Sequence, residues 1–269
     1  MLEITLAFLA GLLIGSFLNV CVFRLPNDLS VVRPRSFCPA CEKTIAWYDN
    51  VPILSYILLR GRCRHCAARI SIRYPVVEFL TGVAFAGCVA AFGLSGEAVK
   101  FALFAAIMIV LIATDIDARI LPDEFTLGGT VLGVILAYFV PLPAGLTILL
   151  PLDSMEAQWR SVAEALLGAG VSSGCIWSVG WLYQKVRHRD GLGLGDVKMI
   201  AMIGAFLGLQ GALLTLIVGS VLGAAGGLIY IYGAGKDASS YELPFGSFLG
   251  VAALAVAILG RVMMPGVHL

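Results

Sequence analysis

Long apolar runs of near-constant length, separated by short polar stretches, dominate the chain. Runs of about the roughly 20 residues that cross a bilayer fall at 4–23, 76–93, 98–114, 125–142, 162–183, 196–210, 211–232 and 245–264. This pattern predicts an all-α polytopic membrane protein with about eight transmembrane helices. The division between the sixth and seventh rests on "GLQGA" (208–212), read as a turn inside one long tract; seven spans is the alternative. The first run reads as a retained anchor rather than a signal peptide. Its leading "MLEIT" carries an acid and no base, and positive charge follows the run at Arg24. Composition agrees: 59% of residues are hydrophobic and 13% charged, where soluble chains carry about 25% charge.

Lysine and arginine favour the cytoplasmic side of short loops. With the amino terminus outside, 15 of the 18 basic residues fall on the inner side, nine of them within 24–75; Lys100, Arg160 and Arg261 remain outside. The flipped topology inverts this bias. A net charge of +1 argues against a nucleic-acid partner, and the basic clusters are read as topology signals and contacts to the lipid bilayer.

The only sizeable inner segment, 24–75, holds four of the seven cysteines as C-x2-C-x21-C-x2-C: Cys38, Cys41, Cys63 and Cys66. Each pair presents two thiolates to one tetrahedral ion, and so small a segment needs a staple to fold. A structural Zn2+ is the expected occupant. Two disulfides or four free thiols are the alternative; a disulfide framework requires an oxidising compartment, and the charge bias places this loop in reducing cytosol. His65, inside the second pair, reads as a surface residue beside Arg64. Cys21, Cys88 and Cys175 lie in spans and read as small apolar residues. The expected organisation is therefore a first span at 1–23, a small zinc-stapled cytoplasmic domain at 24–75 between the first and second spans, and a transmembrane region at 76–269.

Ionisable groups at membrane depth are costly and mark functional sites. Two groups qualify: Asp115, Asp117, Asp123 and Glu124 in "IATDIDARILPDEFT" (112–126), and Asp196, which opens the sixth span. Solvated loop acids account well for Asp117, Asp123 and Glu124. They account poorly for Asp196, because Gly191, Gly193 and Gly195 strip side chains from the backbone before it. Two aspartates sharing a proton equip a site for aspartic proteolysis without a metal: one takes a proton from water and the other polarises the scissile carbonyl.

"GLGD" (193–196) resembles the GxGD motif of membrane aspartyl proteases, and its surroundings resemble the type 4 prepilin peptidases. "GSFLNVCVFRLP" (15–26), the four cysteines with "DNVPILSY" (49–56) and "ISIRYPVVE" (70–78), "DIDARILPD" (115–123) and "PFGSFL" (244–249) follow that family's motifs in order. The resemblance implies a bacterial inner-membrane endopeptidase. It would remove the leader of type IV prepilins or pseudopilins after a glycine at the cytoplasmic face, then N-methylate the new amino terminus with S-adenosylmethionine. The catalytic pair carries over onto Asp115 and Asp196, since the family's first aspartate stands eight residues ahead of the aspartate of Pro-Asp, here Asp123. For methylation the resemblance offers Glu78 and Gly61.

The rival from another class is a proton-coupled transporter using Asp115 and Asp196 as a relay; a second is a zinc-stapled assembly adaptor. Both acids lie near one face rather than midway, and no inverted repeat is visible. Helix direction assigns the shared proton to Asp115, at the C-terminal end of its span, and the carboxylate to Asp196, at the N-terminal end of its own, with Lys198 adding to the bias. The stretch 141–161 is read as an external loop of no assigned function, its "AGLTILL" placed on the outer interface.

Overall fold

The computed structural model describes residues 1–143, 145, 155–188, 193–234 and 244–263. Gly191 and most of "AGLTILL" lie outside the described residues. The secondary structure is helical: α1 (Leu2–Arg24), α2 (Leu54–Leu58), α3 (Arg73–Phe92), α4 (Gly96–Ala118), α5 (Asp123–Phe139), α6 (Ala157–Arg187), α7 (Leu194–Ala234) and α8 (Phe245–Met263). Lipid offers no partner to a peptide group, so an apolar run must satisfy its own backbone, and a helix does so within one segment. Five of these helices, α1, α3, α4, α6 and α7, are long and apolar enough to cross a membrane. The sixth and seventh expected spans are the two helices that meet at Gly208 within the range of α7. The expected turn at "GLQGA" falls at Gly208, whose φ of 71° and ψ of −179° are not helical and separate the two helices. Glycine, which has no Cβ, adopts that conformation at little cost.

Two compact units divide the chain, Met1–Thr114 and Asp115–Leu269. In the first, α1 and α3 run antiparallel at very close approach. A Cβ at Gly11 would stand 2.6 Å from the Thr81 carbonyl oxygen, and one at Gly15 would stand 2.7 Å from the Glu78 Cα. Farther along, the Asn19 amide donates to the Tyr74 carbonyl at 2.9 Å. Small residues four apart let helix backbones meet where no water drives them together.

Between α1 and α3 the chain forms the four-cysteine segment. Arg24, buried at the end of α1, donates to the carbonyls of Ser30 (2.8 Å) and Pro34 (2.7 Å) and lies over the Phe37 ring. The residue read as a topology signal thus also fastens the start of this segment to the helix.

In the second unit α7 is central. Against α6, Gly204 and Gly168 pack backbone to backbone, and the Cβ absent from Gly168 would stand 2.6 Å from the Gly204 carbonyl. Against α5, Gly133 receives Phe206 and Ala205; against α8, Gly219 receives Leu249. The buried face of α7 is Met199, Ile200, Met202, Ile203, Ala205 and Phe206. Ser161 on α6 donates to the Ala137 carbonyl of α5 at 2.6 Å and accepts from the Leu142 N–H at 2.8 Å, which pins the exit of α5.

Candidate active site and metal centre

Asp115 lies in the last turn of α4 and is buried. One of its oxygens, Oδ2, accepts two hydrogen bonds from Ser247: the backbone N–H at 2.6 Å and the hydroxyl at 2.7 Å. Ser247 stands in the first turn of α8, where backbone N–H groups have no partner within the helix. Pro244, just before α8, cannot donate, and the helix opens toward Asp115. Gly246 permits this approach, since a Cβ there would meet Leu121 at 3.1 Å and the Asp115 carboxyl carbon at 3.2 Å.

Asp196 lies in the first turn of α7, half-buried, within electrostatic reach of Asp115. Its backbone N–H donates to the Gly193 carbonyl at 3.1 Å. Leu121 joins the two sides, because a Cβ on Gly195 would stand 3.3 Å from its side chain, as one on Gly246 would stand 3.1 Å from it. The two aspartates singled out from the sequence therefore share one locality of the second unit. Asp117, Asp123 and Glu124 are exposed.

Lys198 does not serve Asp196 in the way expected. Its ammonium is held by both oxygens of Asp123, at 2.7 and 2.9 Å, which ties the first turn of α5 to the first turn of α7.

The sulfurs of Cys38, Cys41, Cys63 and Cys66 lie within 4.8 Å of one another. Cys38 and Cys66 are 3.8 Å apart, about the sulfur-to-sulfur edge of a tetrahedron with Zn–S near 2.3 Å. The cluster fits a zinc-binding domain. Its two halves repeat one pattern twenty-five positions apart: Cys38 N–H donates to the Lys43 carbonyl and Cys63 N–H to that of Ala68, while Glu42 and Ala67 each turn back with φ of 56° and 57°. Bridges Phe37 to Thr44 and Arg62 to Arg69 close the two knuckles.

The N–H groups of Cys66 and His65 face the Cys63 sulfur and hold its thiol down at about 7. The Ala68 N–H lowers Cys66, but burial and the neighbouring sulfurs of Cys41, Cys63 and Cys38 outweigh it and push that thiol up to about 11. Outside the cluster Arg64 grips Asp49 in a two-pronged pair at 2.6 and 2.7 Å, which holds the Asp49 carboxyl below its usual range.

The two residues offered for methylation converge on one short segment of the first unit. Glu78, buried on α3, accepts a 2.8 Å hydrogen bond from the Ile53 N–H. Gly61, with φ of 64°, lies where a Cβ would stand 2.9 Å from the Tyr56 hydroxyl. Ile53 immediately precedes α2, and Tyr56 is at its centre.

Comparison with known proteins decides the affiliation. Residues 9–92 match the bacterial peptidase A24 N-terminal domain, and residues 102–228 match the type IV leader peptidase family. The prepilin leader peptidase/N-methyltransferase of Pseudomonas putida is 36% identical over 96% of this chain and 91% of its own length. This chain belongs to the type IV leader peptidase family. A protein of the same description from Myxococcus xanthus is 40% identical over 85% of this chain, which spans 63% of the Myxococcus protein's length. Another, from Klebsiella pneumoniae, is 38% identical over 79% of this chain and 89% of its own length. No solved structure matches the chain. Membership makes this chain an enzyme, a multi-pass membrane peptidase, rather than a carrier.

Proposed function

We propose that the enzyme cleaves the leader of type IV prepilins or pseudopilins after a glycine, at the cytoplasmic face of the inner membrane, with Asp115 and Asp196 as the catalytic pair. The observation that carries this reading is the juxtaposition of these two carboxylates, the first anchored by Ser247 and the second set behind side-chain-free Gly193 and Gly195. In the dyad one carboxylate takes a proton from water and the other donates to the scissile carbonyl. Ser247 fixes Oδ2 of Asp115, so Oδ1 is the oxygen left to face water or substrate. Apparent titration behaviour belongs to the pair rather than to either member.

Methylation of the new amino terminus is the second activity, as in the relatives named for it. S-adenosylmethionine supplies the methyl group when bound. Glu78 and Gly61 shape the segment at 53–56 and are proposed to support this step. Cys38, Cys41, Cys63 and Cys66 are proposed to hold one structural Zn2+ as a closed four-thiolate site, which contributes folding free energy rather than a reactive water.

The test is incubation of the purified enzyme with a prepilin that bears a basic leader, a glycine and an apolar helix beginning with phenylalanine. The mass of the new amino terminus should show cleavage after glycine in either case. A further methyl group should appear only with S-adenosylmethionine.

A further inference from the structure

The short helix α2 carries its apolar face outward. Leu54, Ile57 and Leu58, spaced as neighbours on one helical face, are 52%, 64% and 71% exposed, while Ser55 on the other side is buried. In a domain surrounded by water the outward face is polar. Here the arrangement is reversed.

The depth of α2 says what covers that face. Its entry is fixed by the Ile53 N–H on the Glu78 carboxylate. Glu78 stands five residues inside α3, an apolar helix long enough to span a bilayer, which is about 7.5 Å along its axis. The entry is also forced: Ile53 is the centre of a tight turn closed by the Leu54 N–H on the Pro52 carbonyl, with φ of 60° and ψ of −49°. That conformation is strained for a β-branched residue. Both ends of the segment are tethered, to α1 at Arg24 and to α3 at Arg73, so the segment cannot lift away. Exposed Arg60 and Arg62 follow the apolar face directly.

We propose that α2 is an interfacial anchor. Leu54, Ile57 and Leu58 lie among the acyl chains of the leaflet on the four-cysteine side, and Arg60 and Arg62 lie at the level of its anionic headgroups. Side chains of this kind gain burial only where lipid reaches them, and the charge next to them complements a membrane surface. The proposal rests on α1 and α3 spanning the bilayer and is independent of the catalytic reading.

The experiment places the photoreactive residue p-benzoylphenylalanine at position 57 or 58 of the whole chain. The protein is reconstituted without prepilin in nanodiscs of phosphatidylethanolamine and phosphatidylglycerol, and bound metal is measured to confirm a folded domain. Illumination should give lipid adducts at both positions and none at position 42, an exposed site on the same domain. Cross-links to protein in place of lipid, or equal lipid yields at 42, overturn the proposal. In the unsubstituted chain, hydroxyl-radical footprinting should leave Leu54, Ile57 and Leu58 unmodified in nanodiscs. Their ready oxidation overturns it as well.

Discussion

Ser247 donates twice to one oxygen of Asp115, across 132 residues of chain, through its backbone N–H at 2.6 Å and its hydroxyl at 2.7 Å. The first turn of α8 thereby becomes part of the floor under the first aspartate. The relationship separates what the helix supplies from what the side chain supplies, because only the hydroxyl is removed by substitution to alanine.

Ser247→Ala should keep the backbone donor and lose the hydroxyl. A hydrogen bond of this kind is worth about 1 kcal/mol net, so kcat for leader cleavage should fall about fivefold with KM little changed. Ser247→Thr, which keeps a hydroxyl, should recover most of the rate. A pH–rate profile of Ser247→Ala that matches the unsubstituted enzyme, at equal kcat, contradicts the positioning of Asp115 by this side chain.

The contact between Gly204 and Gly168 leaves no room for a methyl group. Gly204→Ala should destabilise the second unit by about 1–3 kcal/mol, the range for overpacking, and lower the thermal midpoint in detergent. An unchanged midpoint contradicts the backbone contact between α6 and α7.

Metal removal should expose a difference between two thiols. At pH 7 Cys63, held down at about 7, is close to half thiolate, whereas Cys66, raised to about 11, is protonated. After chelation, alkylation at pH 7 should therefore modify Cys63 first, although Cys66 is the more exposed. Raising the pH toward 11 should bring Cys66 into reaction and narrow the gap. With metal bound, about one ion per chain is expected and both thiols should be protected. Faster alkylation of Cys66 at pH 7 contradicts the assignment.

Glu78→Gln and Gly61→Ala both disturb the segment at 53–56, the first by weakening the acceptor for the Ile53 N–H and the second by crowding the Tyr56 hydroxyl. Methylation should fall at least tenfold while cleavage is largely retained. Equal loss of both activities indicates a general structural role and sinks the assignment to methylation.

Much of this was legible in the sequence because membrane helices must be long and apolar, and because four cysteines at metal spacing admit few readings. Asp115 and Asp196 stood out for the same reason, as acids at the edge of apolar runs. The turn between the sixth and seventh spans was legible in "GLQGA", and the structure places its non-helical residue at Gly208. Gly11 and Gly15, a small-residue pair in α1, were a readable packing signal. So was the matching pattern of the two knuckles, where Glu42 and Ala67 occupy the same place after each second cysteine.

Other features were not readable in principle. Ser247 in an apolar motif looks like a small packing residue, and its partner is set only by where α8 begins against α4. The turn at Ile53 contradicts the preference of its own residue type, so local reasoning points away from it. Lys198 lies two residues from Asp196 in sequence, whereas the fold delivers Asp123, 75 residues away, to its ammonium.

The most direct measurement of the central claim is leader cleavage by Asp115→Asn, Asp196→Asn and Asp117→Asn, each purified at wild-type yield and assayed on the same prepilin. Asp115→Asn and Asp196→Asn should each abolish cleavage, because either removes one half of the acid–base pair, while Asp117→Asn, on the exposed side of α4, should retain substantial activity. Cleavage by Asp115→Asn or Asp196→Asn, or its loss in Asp117→Asn alone, contradicts the account.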